Sequence, residues 1–139
     1  ARVFLSLLQE GKKISAVNDQ PITPGLVEDI SKALKLIVKD QSLGIFHIAP
    51  TDWTTPFEFA KLIAERFGLD SSLVAGISLE EFEKSRSFRM PPRCWLNSGK
   101  FRARFGEGIL HSVHESVEIF KDKTLLVDER RELPELVIA

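Results

Sequence analysis

The sequence predicts a mixed α/β domain, and three observations lead there. Amphipathic helical stretches alternate with short runs of β-forming residues, in the order α-β-α-β-α-β-α. Glycine, proline and Asx residues fall at the joints between them. The length, 139 residues with 43% hydrophobic and 28% charged side chains, suits one core rather than several. There is too little strand for a complete doubly wound sheet.

Residues 2–10 carry Val3, Phe4, Leu7 and Leu8 at helical spacing, and Gly11 is a suitable stop. Ile14 to Val17 is a strand candidate. Asn18 to Gly25 reads as a loop, with two prolines, a glycine and Asx residues in eight positions. A helix follows over about 26–39, its apolar stripe being Val27, Ile30, Ala33, Leu34, Ile37 and Val38; Gly44 breaks the chain. Ile45 to Ala49 is dense in β-formers and is expected to be a buried strand. Thr54 or Thr55 is the natural N-cap of the next helix, with Pro56 in its first turn and Glu58 placed to complete a capping box. That helix ends at Gly68. Leu73 to Ile77 is a third strand candidate, and Leu79 to Lys84 a short helix. Asn97 or Ser98 would cap a helix through Phe105, and a last helix is expected over about 109–120. Residues 1–121 therefore read as the folded lobe, and 122–139 as a flexible or partner-bound tail.

Composition removes some functions. No apolar run approaches the ~20 residues that span a bilayer. The opening residues are amphipathic, unlike a secretory signal. A single cysteine, Cys94, forms no internal disulfide, so a reducing cytoplasm is the expected setting. The chain opens on Ala1 rather than Met, and derivation from a longer polypeptide is the expected reason. A net charge of −1 and the lack of a nucleic-acid-binding motif argue against nucleic acid as a partner.

The strongest electrostatic feature is a basic window. Lys84, Arg86, Arg89, Arg93, Lys100, Arg102 and Arg104 lie between Glu83 and Glu107 with no acid among them. Five of these seven are arginine, whose planar fork matches phosphate oxygens. Charge alone fits either a diphosphate site or a solvated basic surface. The loop Asn18–Gly25 offers short polar groups on a stiffened backbone, as ligand clefts do, and also as plain turns do. His111 and His114 are spaced for one helix face, but no third metal ligand accompanies them. His47 alternates with apolar neighbours and is expected to be a hydrogen-bonded core histidine. Cys94 reads as a packing residue, and Trp53 and Trp95 as core or rim residues. Gly106-Glu107-Gly108 lacks the preceding strand and third glycine of a dinucleotide turn.

Several segments occur together in order: VNDQPITPGLVEDIS (17–31), GIFHIA (44–49), TTPFEFAKLIAERFGLD (54–70), ISLEEF (77–82) and PPRCWLNSGKF (91–101). This order resembles the carboxy-terminal half of dTDP-4-dehydrorhamnose reductases, and that of their relative, the regulatory β subunit of methionine adenosyltransferase. Both belong to the extended short-chain dehydrogenase/reductase group. The family's Asp-Gln matches Asp19-Gln20, while its Ser-Pro-Thr stands here as Thr23-Pro24-Gly25. Its Arg-Pro, Ser, Leu-Asp and Lys stand as Met90-Pro91, Cys94, Leu96-Asn97 and Lys100, with Arg89 and Arg93 beside the altered arginine position.

The resemblance implies the substrate-binding lobe of an extended short-chain dehydrogenase/reductase, without most of the Rossmann domain. It implies a dTDP-sugar ligand, with Asp19, Gln20, Thr23 and Pro24 as one cleft wall and Arg89, Arg93 and Lys100 as the anion-contacting set. NADPH or NADH is implied for a full-length parent and no cofactor for this chain. Such enzymes use a Tyr-x-x-x-Lys pair and a glycine-rich turn. This chain has no tyrosine and no such turn, so catalysis is expected to need the missing Rossmann domain. A non-catalytic regulatory subunit is the alternative. Apolar surface left by the missing lobe is expected to drive self-association.

Overall fold

A computed structural model describes residues 1–84 and 86–131, with side chains as far as Leu125. The order is α1 (Arg2–Gln9), β1 (Ile14–Val17), α2 (Val27–Lys39), α3 (Pro56–Arg66), a 3-10 turn (Ser71–Leu73), β2 (Val74–Ile77), α4 (Leu79–Glu83), α5 (Gly99–Phe105) and α6 (Val113–Arg131). The mixed α/β class is as the alternation predicts.

Helix α3 is the hub. Thr55 caps it by accepting from the Glu58 backbone N–H at 3.2 Å, and Pro56 occupies its first position. It buries Phe59, Ala60, Leu62, Ile63 and Ala64 against Leu5 and Leu8 of α1, Ile14 and Ala16 of β1, Val74 of β2, and Val113 and Val117 of α6. On α1 the apolar stripe is rotated from expectation: Leu5 is buried and Val3 faces solvent. A second, smaller cluster joins Ala33 of α2 to Phe101 of α5 and Leu110, with Leu36, Ile37, Phe46 and Ile48 packed around them.

Strands β1 and β2 pair in parallel, Ile14 opposite Val74 through Val17 opposite Ile77. The connection carries α2 and α3, as a parallel pair requires a long crossover. The ladder continues one step past β1, where the Asn18 N–H donates to Ile77 O at 3.0 Å. Gly76 leaves room for the Asn18 side chain, because a Cβ there would stand 2.9 Å from Asn18 Nδ2.

Two further expectations fail. Ile45–Ala49 forms no strand. No neighbouring strand meets it, and Ile45 O instead accepts from Lys100 Nζ at 2.8 Å. Strand formation needs a ladder partner as well as β-forming side chains. His47 is exposed rather than in the core. The break after α2 comes before Gly44: Gln41 takes the left-handed conformation at φ 52°. The last helix starts later and ends later than expected, at Val113 and Arg131. The expected tail at 122–139 is thus helical to Arg131, and 132–139 lie outside the described residues.

Candidate functional site

The loop after β1 is a junction, and its geometry decides what the predicted site residues do. Asp19 Oδ1 accepts from the Leu79 N–H at 2.8 Å, so it holds the first turn of α4 together with Ser78, which caps Glu81 at 3.1 Å. Gln20 is only 1% exposed. Its Nε2 donates to Pro91 O at 2.6 Å and approaches Cys94 Sγ at 3.4 Å. Pro21 O accepts from the Cys94 N–H at 3.0 Å. Ile22 exchanges two backbone hydrogen bonds with Thr54, at 2.7 and 3.0 Å. Thr23 Oγ1 accepts from the Leu96 N–H at 3.2 Å.

Asp19, Gln20 and Thr23 therefore serve as fasteners. They strap the segment 91–96 to the end of β1 and the start of α4, and that segment carries Arg93. Arg89 lies two residues before Pro91, where the Met90 N–H donates to Glu83 Oε1. Pro24 does not join this strap. It lies on the lip of an apolar cleft of about 550 Å³ whose walls include Val27, Phe59, Val117 and Phe120. Ser116 Oγ, buried at that cleft, has no hydrogen-bond partner among the described residues.

The basic window divides into two groups. On α5, Arg102 pairs with Glu107 at 2.6 Å and Arg104 with Asp40 at 2.7 Å. The Ser42 hydroxyl, and then Arg104, hold the Asp40 carboxyl below its ordinary range. Lys100 sits 4.5 Å above the Phe46 ring and borders a hollow with Gln41, Leu43 and Ala103. The other group lies ahead of the strap. Arg86 stacks on Phe82 at 4.1 Å, and Lys84, Arg86 and Arg89 border a hollow of about 570 Å³ with Glu80, Glu83 and Phe88. Arg89 and Arg93 make no ion pair among the described residues. Lys100 and Arg89 thus border different hollows.

Some organising residues escaped the sequence reading. Asp29, 4% exposed, accepts from the His111 N–H at 2.8 Å, and its other oxygen lies 2.7 Å from His111 Nδ1. Ser112 and Glu115 form a reciprocal capping box on α6, the Ser112 N–H donating to Glu115 at 2.7 Å and the Glu115 N–H to Ser112 at 3.3 Å. Asp52 accepts from the Val113 N–H at 2.7 Å. His111 is thus engaged by Asp29, and His114 Nδ1 lies 3.4 Å from Arg66. Among the described residues no three His, Cys, Asp or Glu side chains cluster closely enough to hold a metal. Trp53 and Trp95 are exposed rather than core.

Compared with known families, residues 1–124 match the model of the RmlD substrate binding domain. The chain belongs to that family. Solved structures agree on the fold of the domain. A dTDP-4-dehydrorhamnose reductase from Bacillus anthracis, in complex with NADP, superposes with a TM-score of 0.78 at 24% identity over 88% of this chain and 42% of that one. The Clostridium acetobutylicum orthologue gives 0.78 at 21% identity, over 89% and 43%. A dTDP-glucose 4,6-dehydratase from Bacillus anthracis, in complex with NAD, gives 0.59 at 15% identity, over 88% and 39%. The domain thus spans about two fifths of the length of these relatives. A comparison with curated protein sequences finds no match. Among the described residues no helix is long and apolar enough to cross a membrane.

Proposed function

We propose that this substrate-binding domain grips a nucleotide-diphosphate sugar, a dTDP-linked 4-keto-6-deoxysugar in the simplest case, for an oxidoreductase whose redox machinery lies in further polypeptide. The observation that carries this is the buried Gln20 strap, which fixes the segment bearing Arg93 beside Asp19 and Thr23 on an RmlD-type frame. Arg89 and Arg93, without acidic partners among the described residues, supply forks for phosphate oxygens. Lys100, held over Phe46, belongs to a second basic surface in this reading. NADPH or NADH would supply the hydride in the longer protein. This chain's own contribution is binding and orientation, since it has no tyrosine to donate a proton. A reducing cytoplasm suits such chemistry.

Calorimetric titration with dTDP and dTDP-rhamnose tests the reading, on this chain and on the longer polypeptide that carries it. Arg93→Ala is expected to weaken dTDP binding about tenfold, the loss of one charge-assisted contact. Raised salt is expected to weaken wild-type binding as well. A longer polypeptide that binds neither ligand, or binds both as well with Arg93→Ala, overturns it. Should that polypeptide bind the nucleotide but carry no Tyr-x-x-x-Lys pair, the regulatory-subunit reading takes its place.

A further inference from the structure

The apolar cleft beside Pro24 holds polar groups that its walls do not use. Pro24, Leu26, Val27, Phe59, Val117 and Phe120 line it, and its volume of about 550 Å³ is that of a small-molecule site. Among these walls stands Ser116 of α6, only 6% exposed, whose hydroxyl has no hydrogen-bond partner among the described residues. A buried hydroxyl left unpaired lowers stability unless something from outside supplies the partner.

The start of α1 borders the same cleft through Ala1 and Arg2. No side chain caps this helix, because its N-cap residue is Ala1, and its first turn holds no acid. The first-turn N–H groups and the positive end of the helix dipole are therefore unopposed at the cleft. Arg2 adds a full positive charge, and it makes no ion pair among the described residues. The Ala1 amino group is held below its ordinary range by burial, so the charge rests mainly on Arg2. The remaining charges on the rim cancel, since Lys123 is bonded to Glu28 and both border the cleft. Helix α2 also starts here without a side-chain cap, but Glu28 and Asp29 in its first turn already answer its dipole. The positive sign is thus concentrated at α1.

We infer that this cleft is a binding site for an amphipathic carboxylate. The carboxylate lies at the start of α1, facing Arg2, and accepts from the first-turn N–H groups and from Ser116 Oγ. The hydrocarbon body lies along Val27, Phe59, Val117 and Phe120. A single negative charge suits the site better than a phosphate dianion, because one full positive charge is free and a second negative charge would meet an apolar wall. Arg89, Arg93 and Lys100 do not border the cleft, so the site is read independently of the sugar nucleotide.

Octanoate tests it, titrated calorimetrically into the 139-residue chain. The expected dissociation constant is on the order of 100 μM. Octanol keeps the hydrocarbon and lacks the charge, while acetate keeps the charge and lacks the hydrocarbon. Each is expected to bind at least about tenfold more weakly. Arg2→Glu reverses the charge while adding the acid that a helix start favours, so the fold is kept and octanoate binding falls at least about tenfold. Ser116→Ala is expected to weaken octanoate about tenfold, yet to raise the urea midpoint of the unliganded chain by removing an unpaired buried hydroxyl. A chain carrying an N-acetyl group on Ala1 should bind as before. No octanoate binding up to about 10 mM overturns the inference. So does octanol binding as tightly as octanoate, or octanoate binding that neither variant weakens. Loss of binding on acetylation would assign the anion to the terminal amine, and a lower midpoint in Ser116→Ala would show the hydroxyl to be partnered in the fold; either result overturns it equally.

Discussion

Gln20 shows how a ligand-site motif can act one step away from the ligand. Its carboxamide donates to Pro91 O and approaches Cys94 Sγ while the side chain itself is shut from solvent. Truncation to alanine would leave a carbonyl without its donor and a void beneath the strap. Gln20→Ala is therefore expected to cost about 2–3 kcal/mol in urea unfolding. The segment 91–96 should loosen before the body does. Trypsin should then cut after Arg93 faster in the variant than in the parent, at a urea concentration where both remain folded. Equal cleavage would remove the strap from the account. The sequence singled out Asp19, Gln20 and Thr23 correctly as residues of one loop. What they hold was not legible there, because their partners Leu79, Pro91 and Leu96 lie 60 to 73 positions away. His47 was misread for a similar reason, and is exposed. Alternation suggested a core place for His47, but burial of a histidine rests on a polar partner, and Asp29 supplies one to His111.

Among the elements, local signals were read well wherever local chemistry decides the outcome. The Thr55 cap, Pro56 at the first helical position and the glycines at Gly11 and Gly68 all sit where the sequence put them. The Ser112/Glu115 box was equally local, but the sequence reading weighed His111 and His114 there only as metal ligands, set them aside for want of a third, and passed over the cap. Ile45–Ala49 was misread because its β-forming side chains say nothing about whether a second strand lies beside them. The end of α2 offers a test of the same local chemistry. Gln41 stands in the left-handed region, with its N–H donating to Val38 O at 3.2 Å and that of Ser42 to Ile37 O at 3.2 Å. This is the closure that glycine makes without strain at Gly68, where the Leu69 N–H reaches Ala64 O at 2.8 Å. Gln41→Gly removes the Cβ clash at the cost of a more flexible unfolded chain, and its net effect is expected to be a gain of about 0.5–1 kcal/mol. A lower urea midpoint in the variant would show that the glutamine side chain contributes something the backbone geometry does not reveal.

Across the whole molecule, the alternation of elements was legible because the apolar face of α3 is covered by α1, both strands and α6, and the chain supplies them in order. The electrostatic arrangement was only half legible. The sequence showed a run of seven basic residues, but folding pairs Arg102 and Arg104 of α5 with acids and leaves Arg89 and Arg93 without such partners among the described residues. Four carboxyls share one property. The Lys123 ammonium, bonded to Glu28, holds that carboxyl below its ordinary range. Hydrogen bonds from Ser42 do the same for Asp40, from Ser72 for Asp70, and from the Ser112 backbone and hydroxyl for Glu115. A carboxyl whose folded pKa lies below its unfolded one stabilises the fold fully above the unfolded value, and that contribution is lost as pH falls through the folded value. The four act together and all near the surface, so each is partly screened. Stability is therefore expected to be level from about pH 7 to 5 and to decline steadily from about pH 5 toward 3. About 0.5 M salt should flatten the share that comes from the Lys123 and Arg104 pairs. It should leave the share from Ser72 and Ser112, which are neutral donors, in place. Urea midpoints measured at each pH with and without salt separate the two. A decline that vanishes altogether in salt would mean that the capping bonds at Asp70 and Glu115 contribute nothing, and a midpoint that rises on acidification would reverse the sign of the whole argument.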